Sequence, residues 1–329
     1  MATIREVARK AGVAAITVSR VINRSGYVSD ETRQRVEQAI AELDYVPNVL
    51  ARGLRSSRTH TLGLLVTDIT NAFWTTVARG AEDAAVRSGY SVFLCNTDES
   101  ASKQEQYLRA LLSHRVEGVI IAPASSDRSA LTALERARLP FVIVDRRVPG
   151  VDADLVLGDS LGGARMLVEH LLARGHRRIA HIGGPVGVST ADDREQGYRE
   201  ALMAAGIEVD PDLVQRGDYK LESGRRLMRQ LLERSPLPTA VFAANNVLAV
   251  GALAALQERG LRVPEDMALV CFDDLPQASL IDPFLTVAAQ PAYDLGATAL
   301  RLLLARLADP YRPPETVMLP VQLVVRRSS

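Results

Sequence analysis

Near the amino terminus a short run of residues has the types and spacing needed to read a DNA groove. In AITVSRVIN, Val18, Val21 and Ile22 make the apolar face of a helix from about Ala15 to Asn23 and leave Ala15, Ile16, Thr17, Ser19 and Arg20 to project outward. Hydroxyls can bond phosphates, an isoleucine tip can meet a thymine methyl, and Arg20 can pair with O6 and N7 of guanine. A plain three-helix bundle can present the same face, so the surroundings must decide. Farther along, polar residues close a series of apolar runs: Asp68, Asn96, Asp145, Asn245, Asp273 and Asp274. If those runs are parallel strands, their carboxyl ends are where ligands bind. Other chemistry finds little support. None of His60, His114, His170, His176 and His181 has metal-ligand spacing, and no nucleophile elbow is present. No G-x-G-x-x-G or Walker A pattern follows a strand, and Gly183-Gly184-Pro185 is too weak to support a nucleotide site.

The elements that would position the groove-reading face can be read locally. Thr3-Ile-Arg-Glu6 fits a capping box, which predicts a helix from near Ile4 with Ile4, Val7, Ala8 and Ala11 as its apolar stripe. Gly12 supplies the backbone freedom for a sharp turn into the second helix. Ser29 as cap, Asp30 and Glu31 in the first turn, and Val36, Ile40 and Leu43 inside predict a third helix. In Tyr45-Val-Pro47-Asn48 through Arg58, Pro47 stops one helix and Asn48 can cap another. That last helix is too short to be stable alone, but its basic end and Leu54 suit ordering against DNA. From Thr61 onward LGLLVTD, YSVFLCN, EGVIIAP, PFVIVDR, RIAHIGG, TAVFAAN and ALVCFDD alternate with amphipathic stretches, the pattern of doubly wound parallel sheets covered on both faces.

A length of 329 residues points to two or three domains, and 47% hydrophobic with 24% charged residues is the mixture of a globular chain. The net charge is zero, but residues 1–58 hold ten Lys and Arg against six Asp and Glu, so a small basic head precedes a mildly acidic body. MATIREVARK carries charge where a signal peptide needs an apolar run, and Cys95 and Cys271 lie in apolar runs as reduced thiols would; a cytoplasmic protein is expected.

TIREVARKAGVAAITVSRVINRSGYVSDETRQRVEQAIAELDYVPNVLARGLRS, with its TVSRVIN and YVPN signatures, closely resembles the headpiece and hinge of the lac-repressor (LacI/GalR) family of bacterial transcription regulators. The resemblance extends through the body. It implies an all-α helix-turn-helix headpiece at 1–46, a hinge helix or linker at 47–58, and an effector-binding domain at 59–329. That domain would be an α/β, two-lobed body like the periplasmic binding proteins, with an N-lobe at about 59–157 and 291–320 and a C-lobe at about 158–290 and 321–329. Implied DNA contacts are Thr3, Ala15, Ile16, Thr17, Ser19, Arg20 and Asn23, with Asn48, Ala51, Leu54 and Arg55 in the hinge. Implied effector contacts are Thr67, Asn71, Phe73 and Trp74, then Asp145, Arg194, Tyr219, Asn245, Asp273 and Gln290. The chain departs from the family at Ala14, where a serine is usual and would cap the recognition helix, and at Asn246, where an aspartate is common; neither is expected to have a role.

The chemistry of the implied cleft suits a sugar. Asp273 can accept from vicinal hydroxyls, Arg194 and Asn245 can donate to oxygens, and Trp74 or Phe73 can cover a pyranose or furanose face. The expectation is a homodimeric DNA-binding regulator of the repressor type, without cofactor, metal or catalysis, that reads an inverted-repeat operator and changes affinity when a small effector, a sugar or polyol, closes the cleft. It is not expected to contact a membrane. A nucleobase effector is the alternative within the same family, and a freestanding sugar-binding module would leave the headpiece unexplained.

Overall fold

The computed structural model describes residues 2–23, 25–45, 59–275 and 284–329, and the chain divides into two compact units at Thr59/His60. The hinge positions Asn48, Ala51, Leu54 and Arg55 lie outside the described residues. Among the described residues, no helix is long and apolar enough to cross a membrane.

In the first unit three helices enclose a small core: α1 (Ile4–Ala11), α2 (Ala15–Asn23) and α3 (Asp30–Glu42). The capping box is complete. The Thr3 amide donates to Glu6 Oε2 at 2.7 Å, and the Glu6 amide donates to Thr3 Oγ1 at 3.3 Å. Gly12 takes φ 67°, a left-handed value that ends α1 and turns the chain into α2. The Ser29 side chain accepts from the Thr32 amide and starts α3. Val7, Val18 and Val36 are fully buried, one from each helix, with Ala8, Ala11, Val21 and Ala39 around them.

The Ala14 carbonyl accepts from the Thr17 and Val18 amides at 2.9 and 3.3 Å, which makes Ala14 the N-cap of α2 without a side chain able to cap. Ala14→Ser should therefore stabilise the first unit by about 1 kcal/mol. Denaturant unfolding followed by circular dichroism checks this, and a midpoint at or below that of the parent chain would refute it.

The second unit holds two six-stranded sheets. One has the order β11-β5-β4-β3-β1-β2 and the other β12-β10-β9-β8-β6-β7. The first sheet uses β1 (Thr61–Val66), β2 (Ser91–Asn96), β3 (Gly118–Ile121), β4 (Phe141–Val144), β5 (Asp154–Gly158) and β11 (Thr316–Leu319). The second uses β6 (Ile179–Gly183), β7 (Val214–Arg216), β8 (Ala240–Ala243), β9 (Ala268–Phe272), β10 (Thr286–Ala289) and β12 (Gln322–Val324). Helices α4 (Ala72–Arg87), α5 (Ala101–Ser113), α6 (Thr132–Ala137) and α11 (Ala292–Ala308) serve the first sheet. Helices α7 (Ser160–Ala173), α8 (Ser189–Ala204), α9 (Leu221–Leu231) and α10 (Asn246–Glu258) serve the second. The central strands β3, β6, β8 and β9 are buried on both faces, which is why they read as unbroken apolar runs.

The chain passes between the sheets three times, after β5, β10 and β11. The first two passages lead into helices that carry the chain back, so the next strand runs parallel to its neighbours. The third leads straight into β12. Leaving β11 at its carboxyl end, the chain can only run the other way, and β12 pairs with β10 antiparallel, Val287 opposite Val324. The sequence reading of wholly parallel sheets is corrected at this one edge.

Candidate functional site

In α2, Ile16 is 51% exposed, Arg20 is exposed, and Thr17 and Ser19 are half-buried. These four form the outward face that the sequence predicts. Ala15, at the start of α2, is half-buried like Thr17 and Ser19 and also packs against the headpiece core. Thr3 is exposed, and its hydroxyl is engaged with Glu6 Oε2 at 2.9 Å. Asn23 closes α2, and its side chain lies outside the described residues.

In the second unit the carboxyl ends of strands from both sheets face a common cleft of about 430 Å³, mouth included. One wall comes from the segments after β1, β2 and β4, with Thr67, Asp68, Asn71, Phe73, Trp74, Glu99, Asp145 and Arg146. The other comes from the segments around β6 to β9, with Thr190, Arg194, Tyr219, Lys220, Asn245 and Asp273. Asp145 and Asp273 hold equivalent places in the two lobes. Each follows the fourth strand of its sheet, counted from the β2 or β7 edge, and each donates its amide to the next strand, Asp145 to Val156 O at 2.8 Å and Asp273 to Ala288 O at 3.0 Å. Both lie at left-handed φ, 70° and 65°, and so does Tyr219 at 64°. Aspartate tolerates this conformation, whereas for tyrosine it is strained by about 1–3 kcal/mol and must be imposed by the surroundings. The ring has room because residue 184 is glycine: a Cβ there would stand 2.2 Å from the Tyr219 ring.

Arg194 projects from α8 with only 3% exposure. Its guanidinium lies over the Phe272 ring at 3.8 Å, donates from Nη1 to Ala244 O at 2.7 Å, and stands 3.8 Å from Asp273 Oδ2. Its Nε and the Thr67 hydroxyl are buried without a hydrogen-bond partner among the described residues. Such groups are costly to leave unmatched, so a polar ligand is the natural complement. Phe73 and Trp74 meet edge to face with centroids 4.9 Å apart at the start of α4, whose cap is Asn71, accepting from the Phe73 amide at 3.0 Å. Asn245 caps α10 through the Leu248 amide at 2.7 Å while its Nδ2 donates to Tyr219 O at 3.4 Å.

Burial pushes the Asp145 carboxyl up to about 6, against the pull of Arg194 and Arg146. Burial also raises Asp273, opposed by Arg194 and by the hydrogen bond from Gln290. Asp68 at the mouth goes the other way: burial is outweighed by hydrogen bonds from Thr70 and Lys220, and its carboxyl sits below its ordinary value. The cleft thus combines buried acceptors, a buried donor and an aromatic corner, a set able to hold hydroxyls and an apolar ring face at once.

Nine of the ten implied effector contacts line this cleft. Gln290 is the exception: it stands next to the lining, where its Nε2 donates to Asp273 Oδ1 at 2.8 Å. It reaches Asp273 because Gly158 has no Cβ, which would fall 1.9 Å from Gln290 Oε1. Four lining residues escaped the sequence reading: Glu99, Arg146, Thr190 and Lys220. Arg146 directly follows Asp145 and could have been found from that adjacency; the other three depend on loop geometry with no local signature. Asn246, for which no role was expected, is fully buried, and its Nδ2 donates to Asn71 Oδ1 across the lobes at 3.1 Å and to Asp274 O at 2.9 Å.

The model of the lacI family of bacterial regulatory proteins matches residues 3–48, and that of the periplasmic binding protein-like domain matches 168–329. The ribose operon repressor of Halalkalibacterium halodurans is 40% identical over 100% of this chain and 97% of its own. The chain belongs to the lacI family of bacterial regulatory proteins. Other relatives of this LacI-family regulator include the transcriptional repressor PurR of Aliivibrio salmonicida, 34% identical over 100% of this chain and 99% of that one. Among solved structures, the lac repressor dimer bound to operator and an anti-inducer superposes with a TM-score of 0.85 at 31% identity, covering 99% of this chain and 98% of that chain. A LacI-family regulator from Enterococcus faecium with bound ribose has a TM-score of 0.74 at 32% identity, covering 82% of this chain and 98% of that chain. A helix-turn-helix headpiece and a two-lobed periplasmic-binding-protein-like body are therefore the architecture of a transcription regulator whose DNA binding answers to a small molecule.

Proposed function

We propose that this LacI-family regulator is a homodimeric repressor that uses residues 1–46 to read an operator half-site, 47–58 as the hinge between headpiece and body, and 59–329 to sense D-ribose or a closely related sugar. The observation that carries the proposal is the opposed pair Asp145 and Asp273, one from each lobe, with Arg194 next to Asp273 and Phe73 and Trp74 in the facing wall. A sugar bonded to both aspartates favours the closed cleft by its difference in affinity for the two states, and closure moves the lobes that carry the hinges. The ribose operon repressors among its relatives and the ribose bound to a similar structure support the choice of sugar. The homodimer is supported by edge strand β2, which turns Phe93 and Leu94 to solvent at 48% and 43% exposure, a surface suited to a second copy. As a repressor the protein catalyses nothing and works in the cytoplasm, where its operator is.

Isothermal titration of the full chain with D-ribose and with hypoxanthine tests the sensor. Ribose is expected to bind and to change operator affinity; binding of hypoxanthine alone would replace the sugar by a nucleobase. For base reading, Arg20→Ala should relax specificity at one operator position by about 1–3 kcal/mol, and Ile16→Ala should lower discrimination at a thymine. Binding to a library of single-base operator variants measures both. Identical selection by parent and variants would remove α2 from the interface.

A further inference from the structure

The charged side chains of the cleft pair off among themselves. Arg146 is clamped by Glu99, Nη1 to Oε2 and Nη2 to Oε1 both at 2.7 Å, and Nη1 also donates to Pro123 O at 2.9 Å. Lys220 Nζ sits between Asp68 Oδ2 at 3.1 Å and Asp98 Oδ1 at 3.0 Å. Arg194 is committed to Ala244 O and faces Asp273. Each cation thus has a carboxylate. Asp145 alone among the lining carboxylates accepts no hydrogen bond from the described residues; its nearest cation is Arg146, with Nε 3.8 Å away.

The Glu99 pair is built at a conformational cost. Asp98 and Glu99 are consecutive non-glycine residues at φ 57° and 59°, and the Glu99 amide donates to Thr67 O at 3.1 Å. Two left-handed residues in succession after β2 are what turn the Glu99 carboxylate inward, onto a guanidinium with 6% side-chain exposure. Without Glu99, Arg146 would be a buried bidentate donor in a ligand cleft, the arrangement that captures phosphates and carboxylates.

We propose that Glu99 is the specificity residue that closes this cleft to anionic ligands: by holding Arg146 in a bidentate pair it cancels the cation that a phosphorylated or carboxylated sugar would take, and it restricts the site to neutral polyols. The inference rests on the sugar reading given above and adds the charge class to it. A phosphate entering the cleft meets Glu99, Asp145 and Asp273, while Arg146 and Lys220 are already bonded to carboxylates and Arg194 keeps only its Nε unmatched beside Asp273, and like charges in such a site discriminate strongly.

The test compares the full parent chain with Glu99→Gln by titration calorimetry, using D-ribose and D-ribose 5-phosphate, and by thermal shift in inorganic phosphate. The parent should prefer ribose by about 100-fold or more, and Glu99→Gln should narrow that ratio at least about tenfold, with a gain that fades as salt is raised. Inorganic phosphate should stabilise Glu99→Gln and leave the parent unmoved. Adding Arg146→Met to Glu99→Gln should abolish both gains, because the freed cation is their source. If neither sugar binds the parent, the ribose reading falls, and the phosphate arm still decides the role of Glu99. Should Glu99→Gln fail to fold, Glu99→Ala removes the same charge with a smaller side chain and should give a gain of the same sign. An unchanged ribose to ribose 5-phosphate ratio together with no phosphate stabilisation, in whichever variant folds, overturns the proposal.

Discussion

Asp273→Asn is expected to leave operator binding without effector at the parent level and to weaken effector binding by about 100-fold. Asp273 is buried in the wall opposite Trp74, and as a carboxylate it can accept from two sugar hydroxyls, each a charge-assisted bond worth about 1.5–3 kcal/mol. The amide keeps one acceptor oxygen and loses the charge. Asparagine also keeps the shape and tolerates φ 65°, and its oxygen can still take the Gln290 proton, so the fold survives the exchange. Trp74 is the one tryptophan in the chain and lines the cleft, so its fluorescence reports occupancy directly. The expected outcome is operator binding that no longer responds to D-ribose and a Trp74 signal that no longer changes. Parental affinity in the variant would remove Asp273 from the effector site and leave it as the partner of Gln290.

Asp145→Asn should have opposite effects on stability and on sensing. The ordinary value of an aspartate carboxyl is 3.8, and burial raises that of Asp145 to about 6. At this group the folded protein therefore binds more protons than the unfolded chain between those values. The resulting stabilisation is complete below pH ~4 and is lost as pH rises through 6, a swing of about 3 kcal/mol. Asp145→Asn removes the ionisation, so at neutral pH the variant should be more stable than the parent by up to about that amount, an advantage that builds up from pH ~4 to ~6. Sensing moves the other way, because an ionised Asp145 is the acceptor that a hydroxyl ligand needs. In the parent, effector affinity should fall as pH drops below 6, and binding near pH 6 should release protons. Titration calorimetry in buffers of different ionisation enthalpy measures that release, and denaturant midpoints across pH measure the stability. A variant whose stability advantage over the parent does not grow from pH ~4 to ~6, or one with unchanged effector affinity, would contradict the assignment.

Reading the headpiece required nothing beyond neighbouring residues. The capping box at Thr3 and Glu6, the turn at Gly12, the Ser29 cap and the 3.6-residue stripes of α1, α2 and α3 are all interactions across three or four positions, and all appear in the structure. The apolar runs of the body likewise state that their strands are buried on both faces, since no polar alternation interrupts them. The cleft is different in kind. Asp145 and Asp273 are visible as polar endings of apolar runs, but their functional partners are set by which strands lie next to each other and by three passages between two sheets. Arg194 needed the family resemblance, because an arginine inside a helix carries no mark of burial; its place over Phe272 exists only once α8 is packed onto the second sheet. Nothing local could reveal that Glu99 would clamp Arg146 47 residues away, that Lys220 would reach Asp68 and Asp98 across the lobes, or that Asn246 would bond Asn71. Sequence by itself determined the elements, their order and the family, because helix caps, strand burial and motif spacing are short-range. The tertiary structure decided which charges meet, because pairing across a cleft depends on the crossing of the chain between sheets, and no residue encodes that in its neighbours.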